Sequence, residues 1–197
     1  MPSVVRNATL RKPRADAERN RRRLLDAAKL AFADQGSAIT MEEIARDAGV
    51  GIGTLYRHFP TRDALVEQIY RDEAQQLAEA ARQLAAEAEP LEALRGWLQL
   101  FVDYLATKRN MAELLRELPG GPAELYASST ALVRDSVTLL VDRAVASGSA
   151  HVEVEPLDLL RALAGVANIA SGANWADNAR NLVDILVAGI RTAPTEA

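Results

Sequence analysis

The stretch Thr40 to Arg62, TMEEIARDAGVGIGTLYRHFPTR, decides the fold of this chain. Thr40 followed three positions later by Glu43 is the pattern of a capping box, in which a hydroxyl and a carboxylate satisfy backbone N–H groups at a helix start. A helix is therefore predicted from Met41. Its apolar residues recur at helical spacing, and Gly49, which adopts a positive φ without steric cost, ends it.

A second short helix follows this glycine turn and stops at Pro60. Ile52, Leu55 and Phe59 are predicted on its inward face, which leaves Gly53, Thr54 and Arg57 outward and Tyr56 at the edge. Two short helices joined in this way indicate a helix-turn-helix, whose second helix is free to enter a major groove.

The run IARDAGVGIGTLYRHFPTRDALV, Ile44 to Val66, resembles the signature of the TetR family of bacterial transcription regulators. The resemblance covers the segment from Arg21 to Val66, and beyond it extends only to the family's architecture. It implies an all-α fold with an N-terminal three-helix helix-turn-helix DNA-binding domain and a C-terminal helical domain that binds a ligand and dimerises. Helix start and stop signals along the chain predict about nine helices in total.

Candidate DNA contacts come partly from chemistry and partly from this resemblance. Thr40 can offer its hydroxyl to a phosphate oxygen at a helix N-terminus, and Arg57 is the candidate base reader because arginine paired with guanine is the commonest specific contact. Ile52 is left open between inward packing and contact with a thymine methyl group. For every member the alternative is an ordinary solvated surface. The predicted DNA-binding residues are Thr40, Gly51, Ile52, Gly53, Thr54, Tyr56, Arg57, His58 and Arg62.

The distribution of charge and the positions of helix-ending residues divide the chain into three parts. Residues 1–70 carry 12 Lys and Arg against 9 Asp and Glu, and residues 71–197 carry 11 against 18, so a basic front precedes an acidic back. Such an asymmetry suits a protein that presents one end to a polyanion. We predict a basic mobile arm over 1–18, the helix-turn-helix domain over 19–66 and a helical effector-binding and dimerisation domain over 67–193. The arm either contacts DNA or serves only as a soluble tail.

The remaining pattern is helical. A helix from Arg19 to Gln35 completes the core of the helix-turn-helix domain. A long helix that starts at Thr61 and Asp63 continues to Pro90 and joins this domain to the effector-binding domain. The further predicted helices are Leu91–Thr107, Met111–Leu118, Pro122–Ser147, Pro156–Gly172 and Asn178–Ile190, the last capped by Asp177.

Large side chains in the second domain indicate a possible effector pocket. An apolar or aromatic small molecule would be walled by aromatic rings and oriented by a few polar groups such as Tyr104, Asn168 and Asn174. The alternative for each residue is ordinary core packing. The predicted pocket residues are Trp97, Phe101, Tyr104, Met111, Tyr126, Asn168 and Trp175.

The two closing helices carry small and branched apolar residues that allow close packing. The resemblance implies a four-helix interface across a two-fold axis, although an intramolecular core explains the same pattern. A two-fold homodimer requires a palindromic operator. The predicted interface residues are Leu163, Val166, Ala170, Ile185, Gly189 and Ile190.

Composition disfavours several other classes. The chain has no cysteine and only His58 and His151 as histidines, which leaves little from which to build a metal cluster or a nucleophilic triad, so an enzyme is not expected and no cofactor is predicted. No signal peptide or long apolar run appears, so we expect a cytoplasmic protein without a membrane partner. The expected function is that of a ligand-responsive, sequence-specific transcription regulator, with repression as the expected mode of action. An architectural DNA-binding protein without an effector is the alternative.

Overall fold

The computed structural model describes residues 11–169 and 174–191, with side chains over 15–166 and 174–191. This part of the chain confirms the all-α class, and its only β pairing is an isolated antiparallel bridge between Ala150 and Arg191. A 3-10 turn, Gly36–Ala38, follows the first helix. The nine α-helices of the described residues are α1 (Arg11–Gln35), α2 (Met41–Asp47), α3 (Ile52–His58), α4 (Arg62–Glu87), α5 (Pro90–Asn110), α6 (Ala112–Arg116), α7 (Ala123–Ala146), α8 (Pro156–Ile169) and α9 (Trp175–Ile190).

Two helix starts differ by more than one residue from the sequence prediction. Helix α1 extends over Arg11–Gln35, so it includes eight residues before the predicted start at Arg19. Pro13 is tolerated near this end of the helix, where a missing N–H costs little. The predicted arm thus overlaps α1 from residue 11, and residues 1–10 lie outside the described part. Helix α9 begins at Trp175, which places Asp177 in the first turn instead of at the cap. An acidic residue is favourable at both places, since the helix dipole stabilises it throughout the first turn.

The chain divides into two compact units. Unit 1 contains the residues up to Ile69 together with Asn110–Gly121, and unit 2 contains Tyr70–Arg109 and the residues from Pro122 onward. Unit 1 is built around a buried cluster from α1 to α4. Its largest fully buried side chains include Leu24, Phe32, Ile39, Ile44, Leu55, Leu65 and Ile69.

Helix α6 also belongs to unit 1, where it contacts the 3-10 turn after α1. Leu114, Leu115 and Leu118 in and beside this short helix are buried. The sequence predicts this segment to be part of the effector domain because no local pattern signals packing against a turn so far away in the chain.

Unit 2 is a bundle in which α8 packs on both α7 and α9. Ion pairs tie α5 to α9: Arg95 lies 2.8 Å from Asp184, and Arg180 lies 2.6 Å from Asp103. The backbone N–H of His151 donates to the carbonyl oxygen of Ile190 at 2.8 Å. Over the described residues, none of the helices has the length and apolar character needed to span a membrane.

Candidate nucleic-acid interface and effector cluster

The start of α2 is a capping box, as the sequence predicts. The Thr40 hydroxyl oxygen accepts from the Glu43 backbone N–H at 3.2 Å, and a Glu43 carboxylate oxygen accepts from the Thr40 backbone N–H at 2.9 Å. The Thr40 hydroxyl also donates to the same carboxylate at 2.7 Å. These hydrogen bonds from the Thr40 backbone and side chain lower the pKa of Glu43. A phosphate contact by the Thr40 hydroxyl therefore requires it to leave Glu43.

The turn after α2 is a Schellman motif centred on a left-handed glycine. Gly49 has φ +62, its N–H donates to the Arg46 carbonyl oxygen at 2.9 Å, and the Val50 N–H donates to the Ala45 carbonyl oxygen at 2.9 Å. A Cβ at position 49 would stand 2.5 Å from a terminal nitrogen of Arg23. The turn thus requires glycine for its backbone conformation, and α1 reaches it through Arg23.

Helix α3 is attached through two buried residues and shows the rest of its surface to solvent. Leu55 is fully buried and Phe59 is 3% exposed. Ile52 is 38% exposed, which disfavours inward packing among the two alternatives left open for it, and Tyr56 is 44% exposed. Gly51, Gly53 and Arg57 are also exposed, while Thr54 and His58 are half-buried. The predicted DNA-binding residues of α3 and its N-cap therefore lie on the surface that Leu55 and Phe59 leave uncovered.

The two glycines of this helix face open space. A Cβ built at Gly51 or Gly53 meets no heavy atom within 4 Å, and neither residue has a positive φ. Packing and backbone conformation inside the protein therefore do not demand glycine here. Glycine inside a helix costs about 1 kcal/mol relative to alanine, so Gly53 weakens α3 without any compensating internal contact.

Two cations of the predicted set differ in what they contact. Arg57 makes no hydrogen bond or ion pair with any described residue, so its guanidinium is available to a partner. Arg62, at the start of α4, donates to the carbonyl oxygens of Ile39 at 2.7 Å and Ser37 at 2.8 Å. Its guanidinium carbon also lies 5.2 Å from the centre of the Phe32 ring. Arg62 therefore holds the 3-10 turn and α1, and its predicted DNA contact remains a prediction.

In unit 2 the aromatic side chains of α5 form one continuous stack. The ring centroids of Trp97 and Phe101 are 5.9 Å apart, those of Phe101 and Tyr104 are 6.0 Å apart, and both pairs are close to parallel. All three residues are buried, and the Trp97 indole N–H donates to the Leu77 carbonyl oxygen at 2.8 Å. This row belongs to the interior of the unit.

Hydroxyl groups extend the row towards α4 and α7. The Tyr104 hydroxyl donates to the Tyr70 hydroxyl at 2.9 Å, and the Tyr70 and Tyr126 ring centroids are 5.6 Å apart. Burial raises the pKa of both Tyr70 and Tyr104, while a hydrogen bond to Ser129 acts in the opposite direction on each. No sequence pattern points to Tyr70 or Ser129 as site residues, because Tyr70 falls in an apolar stripe and Ser129 in an ordinary polar stretch.

Not all predicted pocket residues come together. Met111 is buried in unit 1. The side chain of Asn168 lies outside the described part of the chain. Tyr126 and Trp175 are half-buried members of unit 2, and each has a cation over its ring: Lys108 at 4.3 Å from the Tyr126 centroid and Arg109 at 4.8 Å from the Trp175 centroid.

An open groove of about 430 Å³ lies elsewhere in unit 2, between the end of α7 and the start of α8. Its walls are mainly aliphatic, and none of the predicted pocket residues lines it. The groove is bounded by Val141, Asp142, Val145, Ala146, Val152, Val154 and Pro156.

The predicted interface residues are divided between interior and surface. Leu163 is fully buried within the chain, whereas Ile185 is 67% exposed and Gly189, one turn later on α9, is also exposed. Val166 and Ile190 are half-buried, and Ala170 lies outside the described residues. An exposed isoleucine beside an exposed glycine forms an apolar strip on α9 that the described residues do not cover.

Two family models match the chain. The model for bacterial regulatory proteins of the tetR family matches residues 24–69, and the model for the C-terminal domain of SbtR-like transcriptional regulators matches residues 89–192. The first match contains α2 and α3, and the second extends over more than half of the chain.

Known proteins agree with these matches. The crystal structure of a TetR transcriptional regulator from Streptomyces coelicolor is 40% identical, covers 89% of this chain and 99% of its own, and superposes with a TM-score of 0.79. The regulator UidR of Escherichia coli is 33% identical over 91 residues, 46% of this chain and 41% of UidR. The repressor KstR2 of Mycolicibacterium smegmatis is 40% identical over 75 residues, 37% of each chain, so less than half of either curated regulator is spanned. The chain belongs to the TetR family of bacterial transcription regulators.

Proposed function

We propose that this chain is a ligand-responsive repressor that binds a palindromic operator as a homodimer in the cytoplasm and is released by a small molecule. The observation that carries the proposal is the exposed face of α3, where Ile52, Tyr56 and Arg57 stand around glycines that open space surrounds. A surface with an aromatic hydroxyl, an apolar side chain and a guanidinium that has no partner among the described residues suits a major groove, which presents acceptors and thymine methyl groups.

The positioning of α3 supports direct reading of base edges. Leu55 and Phe59 anchor the helix, and the Schellman turn at Gly49 fixes its direction relative to α2. A reading helix has to be held rigidly because specificity depends on hydrogen-bond geometry at the base edges. In this proposal Arg57 reads a base and Tyr56 contacts the backbone or a base edge. The basic residues over 1–18, part of which belong to α1, add sequence-independent affinity.

The apolar strip on α9 supports dimerisation. Ile185 is one of the most exposed large apolar side chains among the described residues, and the adjoining Gly189 allows a partner helix to approach closely. In a two-fold dimer the same strip meets its own copy. Two reading helices about 34 Å apart would then meet two half-sites one helical turn apart.

The buried aromatic row supports an effector site in unit 2, with an apolar or aromatic molecule as its occupant. Helix α4 is one continuous helix that supplies both Arg62, which holds the 3-10 turn in unit 1, and Tyr70, which belongs to the hydroxyl cluster in unit 2. A molecule that changes the surroundings of Tyr70 acts on the same helix that carries Arg62. An allosteric coupling of about 1 to 3 kcal/mol suffices to change operator affinity up to roughly 100-fold. KstR2, which this chain resembles over 75 residues, is named a repressor, and this favours repression over activation.

Selection of binding sites from a random duplex library tests the proposal. Enrichment of one inverted repeat, bound by two copies of the chain as counted by light scattering of the complex, is the expected result. Enrichment of no sequence, with binding that falls steeply as salt rises, would instead identify an architectural DNA-binding protein.

A further inference from the structure

The last turn of α5 carries the only lysine of unit 2. Lys12, Lys29 and Lys108 are the three lysines of the chain, and Lys108 is followed by Arg109. The Lys108 ammonium lies 4.3 Å from the centre of the half-buried Tyr126 ring, and the Arg109 guanidinium lies 4.8 Å from the centre of the half-buried Trp175 ring. We call these four residues the cationic rim. It places two positive charges against two aromatic faces.

Lys108 has no anionic partner in the described part of the chain. It makes no hydrogen bond there, and no carboxylate lies within 4.0 Å of its ammonium. Glu196 is the one acidic residue outside the described ranges. Glu73, a carboxylate of the same unit, accepts a hydrogen bond from the Thr107 hydroxyl at 3.1 Å. The Lys108 side chain is half-buried, but its ammonium nitrogen is not one of the fully buried unpaired atoms of the described residues. Its three N–H donors are therefore open to solvent and to a ligand.

Two contacts within the chain stabilise the cation at this place. A cation in the last turn of a helix is favoured by the helix dipole, and an aromatic face attracts it. Neither contact takes up the N–H donors. Burial lowers the pKa of Lys108, and no opposing charge offsets this effect.

The rim is continuous with the hydroxyl cluster in the interior of unit 2. The Tyr126 ring that lies under Lys108 also contacts the Tyr70 ring at 5.6 Å, and the Tyr70 hydroxyl accepts from Tyr104. From Lys108 inward the sequence of groups is thus a cation, a half-exposed ring, and buried rings with hydroxyls. A molecule that matches this order has an acid at one end and a ring at the other.

We propose that the effector is an organic carboxylate with an aromatic or alicyclic ring, whose carboxylate pairs with Lys108 and whose ring lies against Tyr126. This proposal rests on the proposed function, because it assigns the chemistry of the effector that releases the operator. The neutral amide of the same compound lacks the charge that Lys108 meets, so the site discriminates between them. A charge-assisted hydrogen bond is about twice as strong as a neutral one, and we expect a preference of roughly 10-fold or more for the acid.

The test compares benzoate, cinnamate and cyclohexanecarboxylate with their neutral amides, as probes of the full-length protein. Binding is followed by the lysine Cε signals of protein labelled at that carbon, which number three and include Lys108. Release from the selected operator is followed in parallel. We expect at least one acid to move the Lys108 signal and to release DNA, each at a concentration roughly 10-fold below that of its amide.

Variants separate charge from shape. Lys108→Met keeps the length of the side chain without the charge and is expected to abolish the preference for the acid, whereas Lys108→Arg retains it. Arg134→Met is the matched control, since Arg134 is an exposed cation on α7 of the same unit. The melting temperature of each variant reports whether it folds.

Three results overturn the inference. Amides that bind as well as acids, an unchanged preference in Lys108→Met, or binding of every acid without movement of the Lys108 signal would each do so while leaving ligand response intact. If no compound of either set, and none of a wider neutral library, weakens operator binding, the proposed ligand response itself fails.

Discussion

A terminal nitrogen of Arg23 donates to the carbonyl oxygen of Gly49 at 3.4 Å, and so ties α1 to the turn between α2 and α3. The turn that aims α3 is therefore supported both by its own backbone hydrogen bonds and from the first helix. Because Gly49 has φ +62, the orientation of α3 depends on a backbone conformation that other residues adopt at a cost.

Gly49→Ala is expected to lower the free energy of unfolding by about 1 to 2 kcal/mol, because alanine is strained at positive φ. Urea denaturation measures the loss. The added Cβ also meets Arg23, but that side chain is flexible and can move aside. The same substitution in an Arg23→Ala background should therefore cost nearly as much, and Gly49→Asn should cost less. A much smaller loss in the Arg23→Ala background would show that the clash, and not φ, sets the cost.

Gly53→Ala is expected to have opposite effects on folding and on DNA binding. The substitution should stabilise the protein by up to about 1 kcal/mol, since alanine is the better helix former and its Cβ meets no atom of the chain. Operator affinity should fall, because the methyl group occupies space at the surface that approaches DNA. Operator affinity that is unchanged in a stabilised variant would remove Gly53 from the interface.

Variants of Arg62 distinguish a structural role of this residue from a contact with phosphate. Arg62→Met removes the hydrogen bonds to Ile39 and Ser37, and we expect it to cost about 1 to 3 kcal/mol of stability. Arg62→Lys keeps the charge but cannot reproduce the two-pronged contact, so it should lose much of that stability as well. Operator affinity of the folded Arg62→Lys protein decides the second role. If it matches the original protein while Arg62→Met binds weakly, the charge at this position contacts phosphate.

The hydroxyl pair of unit 2 predicts a loss of stability in alkaline solution. Burial raises the pKa of Tyr70 and Tyr104 in the folded chain. Above the ordinary tyrosine pKa of about 10, the unfolded chain therefore releases protons that the folded protein still holds. Their contribution to the free energy of unfolding is complete below about pH 10 and is lost as pH rises towards the pKa in the folded protein. The slope approaches about 1.4 kcal/mol per pH unit for each group.

Denaturant unfolding at a series of alkaline pH values, with tyrosinate absorbance recorded in parallel, measures this loss. Tyr70→Phe should reduce the slope because the ionising group is gone, and Tyr56→Phe is the matched control on an exposed tyrosine. Equal slopes in the original protein and in Tyr70→Phe would contradict the assignment.

The helix-turn-helix domain could be predicted from short-range sequence patterns. The capping box at Thr40 and the glycine turn at Gly49 depend on residues within one or two helical turns, and both are confirmed. Ile52 is the exception. A helix of only two turns presents a narrow apolar stripe, and periodicity does not reveal how much of that stripe a partner covers.

Contacts between residues distant in sequence could not be predicted from the sequence. Arg62 finds its acceptors 23 and 25 residues earlier, and Tyr104 finds Tyr70 at a separation of 34 residues. No periodicity encodes such pairs. The sequence does not distinguish Lys108 either, because a cation in the last turn of a helix is already explained by the helix dipole.

The most direct test of the central claim, that the exposed face of α3 reads a specific DNA sequence, is fluorescence anisotropy with the selected operator and a scrambled duplex at physiological salt, using the original protein and Tyr56→Ala. We predict a preference of about 1,000-fold or more for the operator, and a loss of about 1 to 3 kcal/mol of operator affinity in a variant that melts like the original. Equal affinity for both duplexes, or unchanged operator binding by Tyr56→Ala, would contradict it.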